Sequence, residues 1–243
     1  MTSGLTGNYV HSCLPTVRPV HAAALTALFI LPSLVICRRS KGELQAADSG
    51  FTLVRAIVAA AWASFLFGWH VHEKAVLTVT LPLTFLAVAS RRLRSLAFYV
   101  TTVAHFSLLP LIYTPNEQPA VLSTYLLYTL SHYLLLGRSS TPVSSGRLHS
   151  LWPIISVLAQ VHLIGLFPLL LANRLLLPYV FPRLEFLPLM LVSVYCAVGL
   201  LTAFFVYVWI NLSWLLEERL ADKEAEAENE YYQVKAAFFK KND

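Results

Sequence analysis

Seven apolar runs, each close to the length of a bilayer-spanning helix, recur along this chain and leave room for little besides short connections. A helix needs about 20 apolar residues to cross a hydrocarbon core of roughly 30 Å. Such runs fall at 19–37, 51–69, 75–90, 95–112, 119–136, 151–171 and 187–216. The third is short and contains Pro82; the fifth is interrupted by Ser131 and His132; the last exceeds a span and is expected to extend out of the bilayer. A backbone in lipid must satisfy its own hydrogen bonds, so runs of this length are read as helices. The predicted fold class is all-α: a polytopic transmembrane helical bundle with about seven spans.

Composition closes off the alternatives. Of 243 residues, 57% are hydrophobic and 13% charged, against about 25% charged in a soluble domain. Such a chain cannot cover itself with polar surface. The net charge of +5 is scattered over short loops and predicts no nucleic-acid partner. Cys13, Cys37 and Cys196 have no paired spacing, which predicts neither a disulfide framework nor a metal site. Residues 1–18 are polar, with Pro15 inside and Pro19 just beyond, and do not read as a cleavable signal.

Loop charges orient the spans. Arg38, Arg39, Lys41, Arg91, Arg92, Arg94, Arg138 and Arg147 fall on one side, and Arg18, Lys74, Arg174 and Arg183 on the other. Eight against four, alternating from loop to loop, places the first set in the cytosol. The expected organisation is a non-cytosolic segment 1–18, a bundle 19–216 and a charged cytosolic tail 217–243. Glu, Lys and Ala dominate that tail and favour helix in water. Lys240 and Lys241 resemble a cytosolic dilysine retrieval signal of the endoplasmic reticulum, which would make the opposite side the lumen. Arg138–Arg147, RSSTPVSSGR, reads as a flexible cytosolic loop.

Between the second and third runs lies FLFGWHVHEKAVLTVTLP, Phe65–Pro82. Trp69, His70, His72, Glu73 and Lys74 gather where two apolar segments join. Two readings stand. In the first the turn only anchors the bundle: Trp69 sits in an aromatic belt, Lys74 snorkels, and Glu73 pairs or caps. In the second it binds an anion. A helix starts here, and its unpaired N–H groups, with His72 and Lys74, make a cationic site at the height of a lipid phosphate. Two histidines at this spacing, with no further ligand nearby, do not make a metal site.

FLFGWHVHEKAVL closely resembles the signature of the dolichol-pathway glucosyltransferases of the endoplasmic reticulum, which have the polytopic GT-C fold. GLTGNYVHSCLPTVRP (Gly4–Pro19) resembles the lumenal stretch that precedes it in that family. TTVAHFSLLPLIY (Thr101–Tyr113) and SVYCAVG (Ser193–Gly199) look more like the branch that adds the second glucose than the branch that adds the first. The resemblance runs from about Gly4 to Trp214. It implies transfer of an α-1,3-linked glucose from dolichyl phosphate glucose to a dolichyl-pyrophosphate oligosaccharide, with inversion at the anomeric carbon. It further implies His70, His72, Glu73 and Lys74 around the donor phosphate, with Glu73 orienting Lys74. His105 and Trp69 would line the lipid groove, with no cofactor and no metal. The family's catalytic acid lies in the first lumenal loop of an N-terminal half, and this sequence matches only the C-terminal half. The general base is therefore expected upstream, or from a missing half, and no catalytic residue is assigned in this chain. Glu117, in a proline-bounded turn, and Glu185, beside Arg183, are not promoted to that role.

Other polar residues have plainer readings. His132 and His162 are expected to hydrogen-bond neighbouring helices, while His105 is expected to line the lipid groove. Arg174 and Arg183 read first as interface anchors. The sequon Asn211–Ser213 lies near the cytosolic end of the last run and should stay unmodified. Two competing functions remain: a non-catalytic fragment binding dolichyl-linked lipid, and a transporter. The transporter reading lacks internal repeats and midplane charges.

Overall fold

The computed structural model describes residues 18–39, 46–69, 71–111, 116–137, 152–184 and 186–242, and among these every regular element is helical. The helices are α1 (Pro19–Arg39), α2 (Ala46–Phe67), α3 (Leu77–Leu86), α4 (Arg91–Leu108), α5 (Gln118–Gly137), α6 (Trp152–Leu171), α7 (Leu177–Val180) and α8 (Leu187–Asn242). Short 3-10 turns at Glu73–Val76 and Leu109–Leu111, and a π-turn at Ala172–Leu176, complete them. Seven of these helices coincide with the seven apolar runs. Residues 1–17 and the 138–151 loop, with the readings placed on them, lie outside the described residues.

Among the described residues, four stretches are both long and apolar enough to cross a membrane: Pro19–Arg38, Gly50–Phe67, Trp152–Leu176 and Leu187–Tyr232. The third run behaves differently from a full span. α3 has 10 residues, about 15 Å at 1.5 Å per residue, or half a hydrocarbon core. A 3-10 turn precedes it and the Ala87–Ala89 turn ends it. α8 has 56 residues, about 84 Å at the same rise, so it leaves the bilayer and carries the charged tail as one continuous helix.

α4 is the hub, packing against α3, α5, α6 and α8. Its Leu93, Ala97, Val100, Val103 and Ala104 are fully buried. Ser90 caps it by accepting from the Leu93 N–H at 3.2 Å. Its first turn carries three arginines at the positive end of the helix dipole, an unfavourable place for cations. Two of them have partners elsewhere. Arg94 donates Nε–H to the Ala87 carbonyl at 3.2 Å, at the negative end of α3, and Arg92 lies over the Trp209 ring at 5.8 Å.

A second cluster joins α1, α2 and α8. Phe29 stacks on Phe67 at 4.2 Å, and Phe204 meets both edge-on and tilts against the buried Trp62. Outward, α5 and α6 expose Leu127, Leu135, Ile154, Ile164 and Phe167. So much contiguous apolar surface belongs against lipid.

Candidate functional site

Gly68 ends α2 in close quarters. Its N–H donates to the Ser64 carbonyl at 3.1 Å, and a Cβ there would stand 2.5 Å from both that oxygen and Val71 Cγ2. Only glycine lets the chain turn back this tightly. Val71 to Lys74 are then exposed, with Trp69 half-buried. His72 is extended (φ −80°, ψ 152°) and heads the 3-10 turn; its carbonyl accepts from the Ala75 N–H at 2.9 Å, while its side chain caps nothing. Val76, fully buried, pins the turn to the core, and α3 continues without a break from Leu77.

The helix start expected from the sequence is therefore present, and His72, Glu73 and Lys74 stand together on its first turn, open to solvent. His72 and Lys74 offer cationic or hydrogen-bonding side chains beside the first, intrahelically unpaired N–H groups of the helix. Successive residues of a 3-10 turn are set about 120° apart, so Glu73 and Lys74 leave the turn in neighbouring directions. Glu73 sits where the helix dipole favours an acid. His70 and Glu185 lie outside the described residues. Glu117 is exposed and its carbonyl accepts from Val121 N–H at 3.0 Å, opening α5.

A cavity of about 650 Å³ lies between α4, α5, α6 and α8. It is lined by Arg94, Tyr99, His132, Gln160 and His162 among apolar side chains, and by neither His105 nor Trp69. His105 instead meets the edge of Tyr128 at 4.7 Å. The two histidines expected to hydrogen-bond neighbouring helices do so. His162 pairs with the Tyr99 hydroxyl at 3.1 Å and the Tyr195 carbonyl at 3.2 Å, and its ring stacks on Tyr195 at 4.2 Å. The Tyr195 hydroxyl donates back to the His162 carbonyl at 2.8 Å. His132 meets Thr101 Oγ1 at 3.3 Å, with its Nε2 buried and unpartnered.

Loop-charge reasoning passed over Arg55. It is buried on α2, donates to Asn211 Oδ1 at 2.9 Å and lies over the Trp214 ring at 4.7 Å. One arginine and one asparagine in two apolar runs were the visible signal. Among the described residues no cluster of three or more His, Cys, Asp or Glu is placed to hold a metal ion.

The sequence model of the ALG6, ALG8 glycosyltransferase family matches residues 1–207. Curated relatives include a mouse (Mus musculus) dolichyl pyrophosphate Glc1Man9GlcNAc2 alpha-1,3-glucosyltransferase, 37% identical over 217 residues, covering 87% of this chain and 37% of the relative. A Drosophila melanogaster protein, named as a probable enzyme of the same kind, is 36% identical, with 88% of this chain and 40% of the relative covered. The Arabidopsis thaliana counterpart is 33% identical, covering 90% and 42%. The chain thus spans well under half the length of these relatives. No solved structure matches it.

Proposed function

The chain belongs to the ALG6, ALG8 glycosyltransferase family, and from that membership we propose that it is the C-terminal membrane part of an alpha-1,3-glucosyltransferase of N-glycan precursor assembly. The donor is dolichyl phosphate glucose and the acceptor a dolichyl-pyrophosphate oligosaccharide that already bears one glucose. The names of the relatives support the acceptor. The observation that carries the reading is the exposed His72–Lys74 turn at the start of the third helix, inside the matched region. The protein sits in the endoplasmic reticulum membrane with this turn in the lumen and the tail in the cytosol.

In the reaction the acceptor hydroxyl attacks the anomeric carbon of the β-linked donor. The bond from that carbon to the phosphate oxygen breaks, its electron pair stays on dolichyl phosphate, and the new linkage is α. The hydroxyl proton passes to a carboxylate outside this chain, in the N-terminal part. His72, Lys74 and the helix N–H groups stabilise the charge that grows on the leaving phosphate, where fixed donors contribute most. His70 joins them, and Trp69 holds the turn at the interface. Side-chain cations take the place of a metal at the phosphate, and no cofactor is used.

The test is glucose transfer in microsomes containing the protein as the cell makes it, with lipid-linked glycans separated by size. His72→Ala and Lys74→Ala are each expected to slow transfer about a hundredfold without lowering protein level. Undiminished transfer in both would leave a non-catalytic lipid-binding role.

A further inference from the structure

At the end of the bundle where α5 begins and α6 ends, Arg174 sits on the π-turn, exposed, and its Nη2 donates to the Gln118 side-chain oxygen on α5. Two cavities flank this pair. One of about 490 Å³ is walled by Leu109, Pro119, Leu122, Leu170, Leu171 and Leu175; the other, about 220 Å³, includes Asn173, whose Oδ1 is buried without a partner. Arg174 and Gln118 line both. Glu117 precedes Gln118 but lines neither.

We propose that this is a binding site for a phosphate-headed membrane lipid, with the headgroup on Arg174 and the chain in the apolar cavity. Height supports it: Arg174 lies about 33 Å along the helix from Trp152 at 1.5 Å per residue, which is where a roughly 30 Å hydrocarbon core gives way to headgroups. A guanidinium that merely snorkelled would reach outward to water. This one is drawn across to Gln118 on α5, and both residues line the two cavities. Gln118 takes one of its five N–H donors and fixes the plane of the others, a fork that matches phosphate geometry. The larger cavity is of ligand size. The unpartnered Asn173 oxygen gives the smaller cavity an acceptor for a headgroup hydroxyl. The π-turn makes room, since the extra residue per turn offsets Asn173 and Arg174 from the lipid-facing line of α6. The site is separate from the His72–Lys74 turn and does not depend on the transfer reading.

The experiment is photolabelling of the full chain in neutral maltoside micelles with diazirine-tagged phosphatidic acid, read by mass spectrometry of peptides. Labels are expected on 118–137 and 152–176. Arg174→Gln, which removes the charge, and Leu122→Trp, which fills the groove, should each raise the half-labelling concentration about tenfold. Arg174→Lys should restore much of the loss. Arg183→Gln, an exposed arginine outside the groove, should change nothing. Diazirine-tagged diacylglycerol should label weakly, and millimolar inorganic phosphate should not compete. Unchanged labelling in Arg174→Gln overturns the proposal, as does equal labelling by diacylglycerol, which would mean a groove indifferent to the headgroup. Full competition by inorganic phosphate would assign the site to a free anion and also overturn it. Thermal unfolding of each variant separates lost binding from lost folding: Leu122→Trp leaves the Arg174–Gln118 contact intact, so normal labelling in that variant would also overturn the proposal.

Discussion

Arg55 and Asn211, 156 positions apart in the chain, meet in a 2.9 Å hydrogen bond inside the helical bundle. Around them the Tyr207 hydroxyl donates to the Arg55 carbonyl at 2.6 Å, and Asn211 Nδ2 donates to the Tyr207 carbonyl at 2.7 Å. α2 and α8 are thus joined by a network whose members satisfy one another. Removing one partner strands the other: Arg55→Met leaves the Asn211 oxygen unpaired, and Asn211→Leu leaves part of a buried guanidinium unpaired. Each is expected to cost about 2 kcal/mol, the scale of a hydrogen bond to a charged group. Reversible unfolding in mixed micelles would measure it. The double variant should cost less than the sum of the two singles.

The same bond decides the fate of the NLS sequon. Asn211 is 4% and Ser213 2% exposed, and the asparagine amide is hydrogen-bonded through both its oxygen and its nitrogen. An acceptor asparagine has to present that amide to a transferase, so Asn211 is expected to stay unglycosylated. Asn211→Gln should then leave the gel mobility of membrane-extracted protein unchanged, with or without endoglycosidase. A band lost on substitution would contradict the burial.

Gly199 and Gly165 let α8 and α6 close around His162. A Cβ on Gly199 would lie 2.6 Å from His162 Cε1 and 2.8 Å from the Tyr99 hydroxyl; one on Gly165 would run into the Tyr195 hydroxyl. Overpacking of this sort costs about 1–3 kcal/mol. Gly199→Ala should lower the thermal midpoint, and His162→Ala, which removes the obstructing ring, should recover part of that loss. Independent effects of the two changes would place the strain elsewhere.

Gly68→Ala acts at the other end of α2, next to the turn that carries His72 and Lys74. The added methyl has to displace the Ser64 carbonyl or Val71, so the turn shifts while the buried core beneath it stays. Transfer should fall at least tenfold with a thermal loss of about 1 kcal/mol. If transfer were unchanged, the position of this turn would not matter to the phosphate.

Helix existence was legible from the chain because it is a local property. Length and apolarity are set by the bilayer, and Ser90, Gly68 and the charged turn at His72–Lys74 mark ends that neighbouring residues alone define. The long reach of α8 was equally visible in its Glu- and Ala-rich continuation. The third run misled: apolarity continues to Ala89, but the helix stops at Leu86 and the next, capped by Ser90, begins at Arg91, with Arg94 folded back onto the α3 carbonyl end. The π-turn at Ala172–Leu176 left no mark in the apolar pattern, since its leucines continue that of α6.

The helical runs, their order along the chain, the loop charges and the position of the cationic turn were thus determined by sequence alone. Tertiary structure decided which polar groups of the helices meet: Arg55 with Asn211, His162 with Tyr99 and Tyr195, Arg174 with Gln118. The physical reason is rotational. A helix apolar on nearly every side satisfies lipid in any orientation, so its periodicity does not say which face turns inward. The few polar side chains settle that only when neighbouring helices, distant in sequence, bring partners within about 3 Å.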